Sequence, residues 1–129
     1  MALRYLVDTN RLTDALRGDS EVINFLETAA EVWISFVSLA ELRAGFMLGS
    51  RKDLNEGLLQ AFLRLPGVGV VFADRETTIH YARLFLQLRR AHTPIPTNDL
   101  WIASLAVQHN LVLLSRDFHF DRLPQIERR

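Results

Sequence analysis

The chain has 129 residues, of which 49% are hydrophobic and 23% charged, and it contains no cysteine. These values predict one compact domain spanning 1–129, and they exclude a disulfide framework, a thiolate metal site and a cysteine nucleophile. The formal net charge is zero, so the strong positive charge of a typical nucleic-acid-binding domain is missing. No apolar stretch approaches the roughly 18 residues of a membrane-spanning helix, and we therefore expect a cytoplasmic protein without a membrane anchor.

The first half of the chain alternates between strand and helix patterns. An apolar run over 3–7 is followed at once by Asp-Thr-Asn, which predicts a buried strand that leads into a helix. Helical spacing of apolar residues predicts helices over 10–17 and 20–30. The β-branched and aromatic run 32–37 predicts a second strand, and Ser38 and Glu41 after it have the form of a capping box that opens a helix.

The second half repeats this alternation. It begins with a predicted helix over 53–65, which Pro66-Gly67 closes, and a predicted strand over 68–73. A helix over 76–91 follows, with apolar side chains on one side. A loop with two prolines precedes Thr97, which we expect to cap an apolar, central helix over 100–107. A fourth strand is predicted over 111–114 and a short fifth element near 125–127.

Strands that are apolar throughout and alternate with helices predict a parallel sheet covered on both faces. The expected fold is therefore a three-layer α/β/α domain with a mainly parallel sheet of four to five strands. Ligands of such sheets bind at the carboxyl ends of the strands, near the point where the strand order reverses.

Four acidic residues are expected near the carboxyl ends of the strands, where such sheets bind ligands. Asp8 follows the first strand, Glu41 lies one helical turn after the second, Asp99 is in the first turn of the apolar helix and Asp117 follows the fourth strand. Carboxylates crowded at one rim repel one another unless a cation lies among them. Oxygen ligands without cysteine or clustered histidine indicate Mg²⁺ or Mn²⁺.

Each acid also has an ordinary structural explanation. Asp8 fits a helix cap, Glu41 the reciprocal partner of Ser38, Asp99 a favourable charge at a helix start, and Asp117 a turn residue. Asp74 is a useful comparison because it also ends a strand, but the third strand is expected at the sheet edge. We therefore interpret Asp74 as a helix cap only.

Four segments resemble, in order and spacing, the sequence blocks of PIN-domain ribonucleases, and among them the VapC toxins of bacterial toxin-antitoxin pairs. They are LVDTN (6–10), SLAELRAG (38–45), NDLWIA (98–103) and LSRDF (114–118). The resemblance covers essentially the whole chain. The family's acids match Asp8, Glu41, Asp99 and Asp117, and its two hydroxyl residues match Thr9 and Ser115, which would orient carboxylates or water.

The resemblance implies Mg²⁺- or Mn²⁺-dependent endonucleolytic cleavage of RNA, tRNA or rRNA above all, by a toxin that inhibits translation. In-line attack of a metal-activated water would leave a 5′-phosphate and a 3′-hydroxyl. The resemblance further implies a VapB-like antitoxin as partner and a homodimer. Segment 44–49 is a candidate part of the groove that binds the antitoxin, although we favour packing in the core for Phe46 and Leu48. The family frequently has Asn at the position of Asp117, so Asp121 is an alternative metal ligand. We nevertheless favour a solvated turn as the interpretation of Asp121 and His119.

Other classes of protein fit the sequence less well. The four histidines are scattered, and each is interpreted as a surface or helix-end residue, which disfavours a metal-free ribonuclease. A signalling receiver needs a lysine after its last strand and a haloacid-dehalogenase phosphatase needs Asp-x-Asp after its first; this chain has neither. A catalytically inactive PIN-type binding module is the main alternative. Candidates for contacts with the RNA backbone are Arg43, Arg89, Arg90 and Arg116.

Overall fold

A four-stranded parallel sheet lies between two layers of helices in the computed structural model, which describes residues 2–129. The strands are β1 (Arg4–Val7), β2 (Glu31–Ser35), β3 (Val68–Val71) and β4 (Val112–Leu114). Their order across the sheet is β3-β2-β1-β4, and every neighbouring pair is parallel. The three-layer α/β/α prediction is confirmed. The order reverses at β1, so the crevice opens between the ends of β1 and β4.

Six α-helices and one 3-10 helix connect and follow the strands. They are α1 (Thr9–Leu16), α2 (Ser20–Glu27), α3 (Phe36–Leu48), α4 (Lys52–Leu63), α5 (Arg75–Arg90), α6 (Thr97–His109) and the 3-10 helix Phe118–Arg122. The helices and strands predicted from the sequence are present, with ends that shift by up to three residues. The fifth element is reduced to a single parallel bridge between Leu113 and Arg128.

Alternate residues of each strand face the two helical layers, as the pleat of a strand requires. Val7 and Leu114 pack in a core with α1 to α4, whereas Leu6 and Leu113 pack with α5, α6 and the 3-10 helix. All four side chains are fully buried. Burial on both faces explains why the strands are apolar throughout.

The start of α3 differs from the prediction. Ser35, not Ser38, is the cap: its hydroxyl accepts a hydrogen bond from the Ser38 amide at 3.1 Å, and the helix begins at Phe36. Ser38 and Glu41 match the capping-box pattern, but β2 ends at Ser35, where its pairing with β3 ends, and α3 begins directly after it. Glu41 is thereby released from the predicted capping box.

Helices α5 and α6 begin at two further predicted caps, of which one is confirmed. Asp74 lies after β3 at the sheet edge and caps α5, as predicted. The cap is a reciprocal capping box with Thr77. The predicted Thr97 cap is wrong, because α6 is preceded by Pro96 and Thr97 is its first helical residue. Asp99 consequently lies in the first turn of α6, with its side chain free for other contacts.

The side of α5 that packs in the core carries Leu84 and Leu88, which are buried. Three other apolar side chains, Ile79, Phe85 and Leu86, lie off that side and remain 44 to 50% exposed. No helix among residues 2–129 combines the length and apolar character required to cross a membrane.

Candidate active site

Asp8 is held where β1 ends by three hydrogen bonds. Its amide donates to the Leu114 carbonyl of β4 at 2.9 Å. Its carboxylate accepts from the Thr9 amide at 2.8 Å and from the Ser115 hydroxyl at 2.6 Å. The side chain caps α1, and the residue is only 3% exposed. Asp8 is therefore a helix cap and a buried acid at the sheet crevice.

Ser115 connects two of the acids. Its fully buried hydroxyl donates to Asp8 Oδ2 and accepts from the Asp117 amide at 3.0 Å. The hydroxyl group of Ser115 thus connects the end of β4 to the end of β1 through hydrogen bonds. Asp117 lies directly beyond it, with its side chain half exposed.

Glu41 reaches the crevice from the second turn of α3. Its Oε1 accepts from the Thr9 hydroxyl at 2.6 Å, and that hydroxyl also lies 2.9 Å from Ser38 Oγ. Its Oε2 lies 3.4 Å from the side-chain amide of Asn98 in α6. The hydroxyl of Thr9 therefore positions Glu41, while its backbone amide binds Asp8.

Asp99 brings α6 to the same rim. Burial is the main cause that raises the pKa of its carboxyl to about 6, and the negative charge of Asp8 adds to this shift. His119 acts in the opposite direction, whereas the charges of Asp117 and Glu41 raise the pKa further. Burial likewise raises the pKa of Asp8, against the hydrogen bonds from Ser115 and Thr9. The structure thus brings the four acids close enough to act on one another electrostatically.

His119 corrects the sequence interpretation. It was expected at the surface or a helix end, but its side chain is only 19% exposed and its Nε2 lies 2.9 Å from Asp99 Oδ2. The 3-10 helix after β4 turns the imidazole inward. Asp121, the alternative ligand, points elsewhere and forms a two-point ion pair with Arg128 at 2.8 and 3.0 Å.

The arginine candidates divide into two groups. Arg43 forms a two-point ion pair with Glu56, and Arg116 pairs with Asp14 at 3.0 Å and not with Asp117. Arg89 and Arg90 lie at the exposed end of α5, and neither forms an ion pair within 4.0 Å in the described chain. They remain the candidates best placed to meet an external phosphate.

The family model described as PIN domain matches residues 5–126. The chain belongs to the PIN domain family. Ribonuclease VapC2 of Rickettsia felis is 30% identical to this PIN domain over 127 residues, which cover 95% of this chain and 93% of that protein. Toxin FitB of Neisseria gonorrhoeae is 31% identical over 120 residues, covering 87% and 86%.

Solved structures give the same result. The crystal structure of VapBC2 from Rickettsia felis bound to a DNA fragment from their promoter contains a chain that superposes on this PIN domain with a TM-score of 0.88. The two chains are 28% identical, and the match covers 98% of each.

A groove of about 400 Å³ opens beside the acids of this PIN domain. It lies between α1, α3 and α4, and its lining runs from Thr9 and Glu41 to Phe46 and Leu58. Phe46 is partly buried, but Leu48 is 91% exposed, so the core role expected for Leu48 is wrong.

Proposed function

We propose that this PIN domain is a divalent-metal-dependent endoribonuclease, the toxin of a toxin-antitoxin pair, which cleaves RNA in the cytoplasm and inhibits translation. Residues 1–129 would form a single PIN-like nuclease domain. The observation that carries the proposal is the gathering of four carboxylates, Asp8 buried among them, where the strand order reverses. Ribonuclease VapC relatives support RNA as the substrate.

The residues present fit a hard divalent ion. Burial and mutual repulsion disfavour the charged forms of Asp8 and Asp99, and a bound cation would remove this cost. The donors are carboxylate oxygens, which Mg²⁺ and Mn²⁺ prefer. Asp8, Glu41, Asp99 and Asp117 would hold the ion.

The chain's own residues prepare the site before RNA arrives. Ser115 fixes the carboxylate of Asp8, and Thr9 fixes that of Glu41, so neither acid has to be ordered when substrate binds. When bound, a divalent ion lowers the pKa of water and neutralises the charge that develops on the attacked phosphate. The exposed side of Asp117 leaves the site open to a phosphodiester from solvent.

The direct test is cleavage of end-labelled tRNA and rRNA with Mn²⁺ or Mg²⁺ and with chelator. We expect wild-type protein to yield fragments with 5′-phosphate ends only when the ion is present. Asp8→Asn and Asp99→Asn should lower the rate by at least about 100-fold, because each removes a charged ligand. Asp74→Asn is the matched control, since it changes an acid after a strand outside the site.

Full cleavage by both site variants, or cleavage in excess chelator, would refute metal-dependent catalysis at these acids. RNA binding without cleavage by metal-loaded wild-type protein would instead identify an inactive binding module.

The groove beside the acids is the proposed binding site of a VapB-like antitoxin. Its lining combines apolar side chains, Phe46 and Leu58 among them, with Thr9 and Glu41 of the site. A peptide segment lying there would cover the acids and exclude RNA. VapBC complexes among the solved structures similar to this chain support such a partner.

A second copy of the chain is the proposed occupant of the exposed apolar side of α5. Ile79, Phe85 and Leu86 would be covered in a homodimer, and sedimentation equilibrium measures this directly.

A further inference from the structure

The imidazole of His119 lies between two of the acids. Its Nε2 is 2.9 Å from Asp99 Oδ2, and its Nδ1 is 3.6 Å from Asp117 Oδ1. The ring also packs against Phe120, with ring centroids 4.7 Å apart. Asp99 and Asp117 come from different elements, α6 and the loop after β4, so His119 stands where the two elements meet.

The contact between His119 and Asp99 is close but is not a hydrogen bond. Nε2 is completely buried and has no hydrogen-bond partner, although Asp99 Oδ2 lies 2.9 Å away. A buried polar nitrogen without a partner is uncommon in folded proteins and calls for a ligand. The neighbouring groups are carboxylates, which indicates a cation as that ligand.

The spacing suits two ligands of one ion. Atoms at adjacent corners of an octahedron with bonds of about 2.1 Å lie about 3.0 Å apart, which matches the 2.9 Å between Nε2 and Asp99 Oδ2. One ligand atom from each of Asp99, Asp117 and His119 lies within 4.8 Å of the others. Two ligands of a shared ion approach each other in this way without a hydrogen bond between them.

We propose that His119 is a nitrogen ligand of the divalent ion, so that this site favours Mn²⁺ over Mg²⁺. The proposal rests on the proposed function, because it assigns a further residue to the same metal site. Mg²⁺ is a hard ion that prefers oxygen, whereas imidazole suits transition-metal ions. A site of carboxylates alone would discriminate less between the two ions.

The test compares Mn²⁺ binding in wild-type, His119→Phe and His80→Phe proteins. His80 is the matched control, because its side chain is 21% exposed and lies on α5 beside Glu76. Electron paramagnetic resonance of free Mn²⁺ gives the Kd, and competition gives the Kd for Mg²⁺. We expect His119→Phe to weaken Mn²⁺ binding about tenfold or more and Mg²⁺ binding by less than about threefold, with His80→Phe unchanged.

A second measurement does not depend on the folding of a variant. Electron spin echo envelope modulation of wild-type protein with bound Mn²⁺ should show coupling to a directly bound ¹⁴N nucleus. Absence of that coupling overturns the proposal, as does an equal loss of Mn²⁺ and Mg²⁺ affinity in His119→Phe, which would make the imidazole a positioning group only. In both cases the carboxylate metal site stands, whereas wild-type protein that binds neither ion would overturn the proposed function as well.

Discussion

At the scale of single residues, Asp8 shows how one carboxylate serves the fold and the site together. It caps α1 through the Thr9 amide, yet burial raises its pKa and so makes its charge unfavourable in the metal-free protein. The cap and the metal-ligand interpretations of this residue are therefore compatible. Replacing it with asparagine keeps a good capping group while removing the charge.

Asp99 gives a prediction about pH. Its pKa of about 6 in the folded state exceeds the ordinary value of 3.8, so the folded protein binds the extra proton between these values. The free energy of unfolding of metal-free protein should therefore fall as pH rises from about 4 to 6.5. Asp99→Asn should reduce this fall, to which the raised pKa of Asp8 also contributes, and at pH 7.5 it should be more stable than wild type by about 1 to 2 kcal/mol. Urea unfolding in chelator across this pH range measures both.

The control for this experiment is Asp74→Ala. Hydrogen bonds from Gln108 and Thr77 lower the pKa of Asp74, so its loss should destabilise the protein at neutral pH, with less effect in acid. An Asp99→Asn variant that is less stable than wild type at pH 7.5 would contradict the assignment of Asp99 as a repelled charge.

Ser115 gives a second prediction at this scale. Ser115→Ala removes the donor to Asp8 and leaves the Asp117 amide without its partner. We expect a loss of about 1 to 3 kcal/mol in the free energy of unfolding and about 10- to 100-fold weaker divalent-ion binding by titration calorimetry. Ser104→Ala, an equally buried serine that bonds within α6, should leave ion binding unchanged. Equal ion affinity in both variants would remove Ser115 from the site.

At the scale of elements, the sequence predicted which segments form helices and strands better than where they begin. Apolar runs and helical spacing located all four strands and the helices between them. The cap of α3 was misplaced because Ser38 and Glu41 match the capping-box pattern, whereas the pairing of β2 with β3 ends at Ser35 and α3 begins directly after it. The inward turn of His119 was missed for the same kind of reason, since it depends on contact between the 3-10 helix and α6.

The groove between α1, α3 and α4 gives a prediction about the partner. Leu58 lines it and is 44% exposed, so Leu58→Asp should place a charge there without disturbing the core. We expect that variant to lose co-purification with the proposed VapB-like antitoxin and to retain RNA cleavage. Leu54→Asp is the matched control, because Leu54 is 57% exposed on the same helix but does not line the groove. Retained antitoxin binding by Leu58→Asp would show that the partner lies elsewhere.

At the scale of the whole molecule, the zero net charge is an average over unlike regions. Four of the fifteen acids gather at one crevice, while fourteen arginines dominate the positive charge. Several of these arginines pair with acids on the surface, as Arg43 and Arg128 do. An ion in the crevice would leave a modestly basic exterior, which suits a polyanionic substrate. Composition alone could not reveal this distribution, because it depends on which charges the fold brings together.

The most direct test of the metal site is a crystal of the wild-type protein soaked in Mn²⁺ and measured for anomalous scattering. We predict one dominant peak in the crevice, within bonding distance of carboxylate oxygens of Asp8 and Asp99. A peak elsewhere, or none in crystals of a preparation that cleaves RNA, would contradict the assignment of the crevice acids as the metal site.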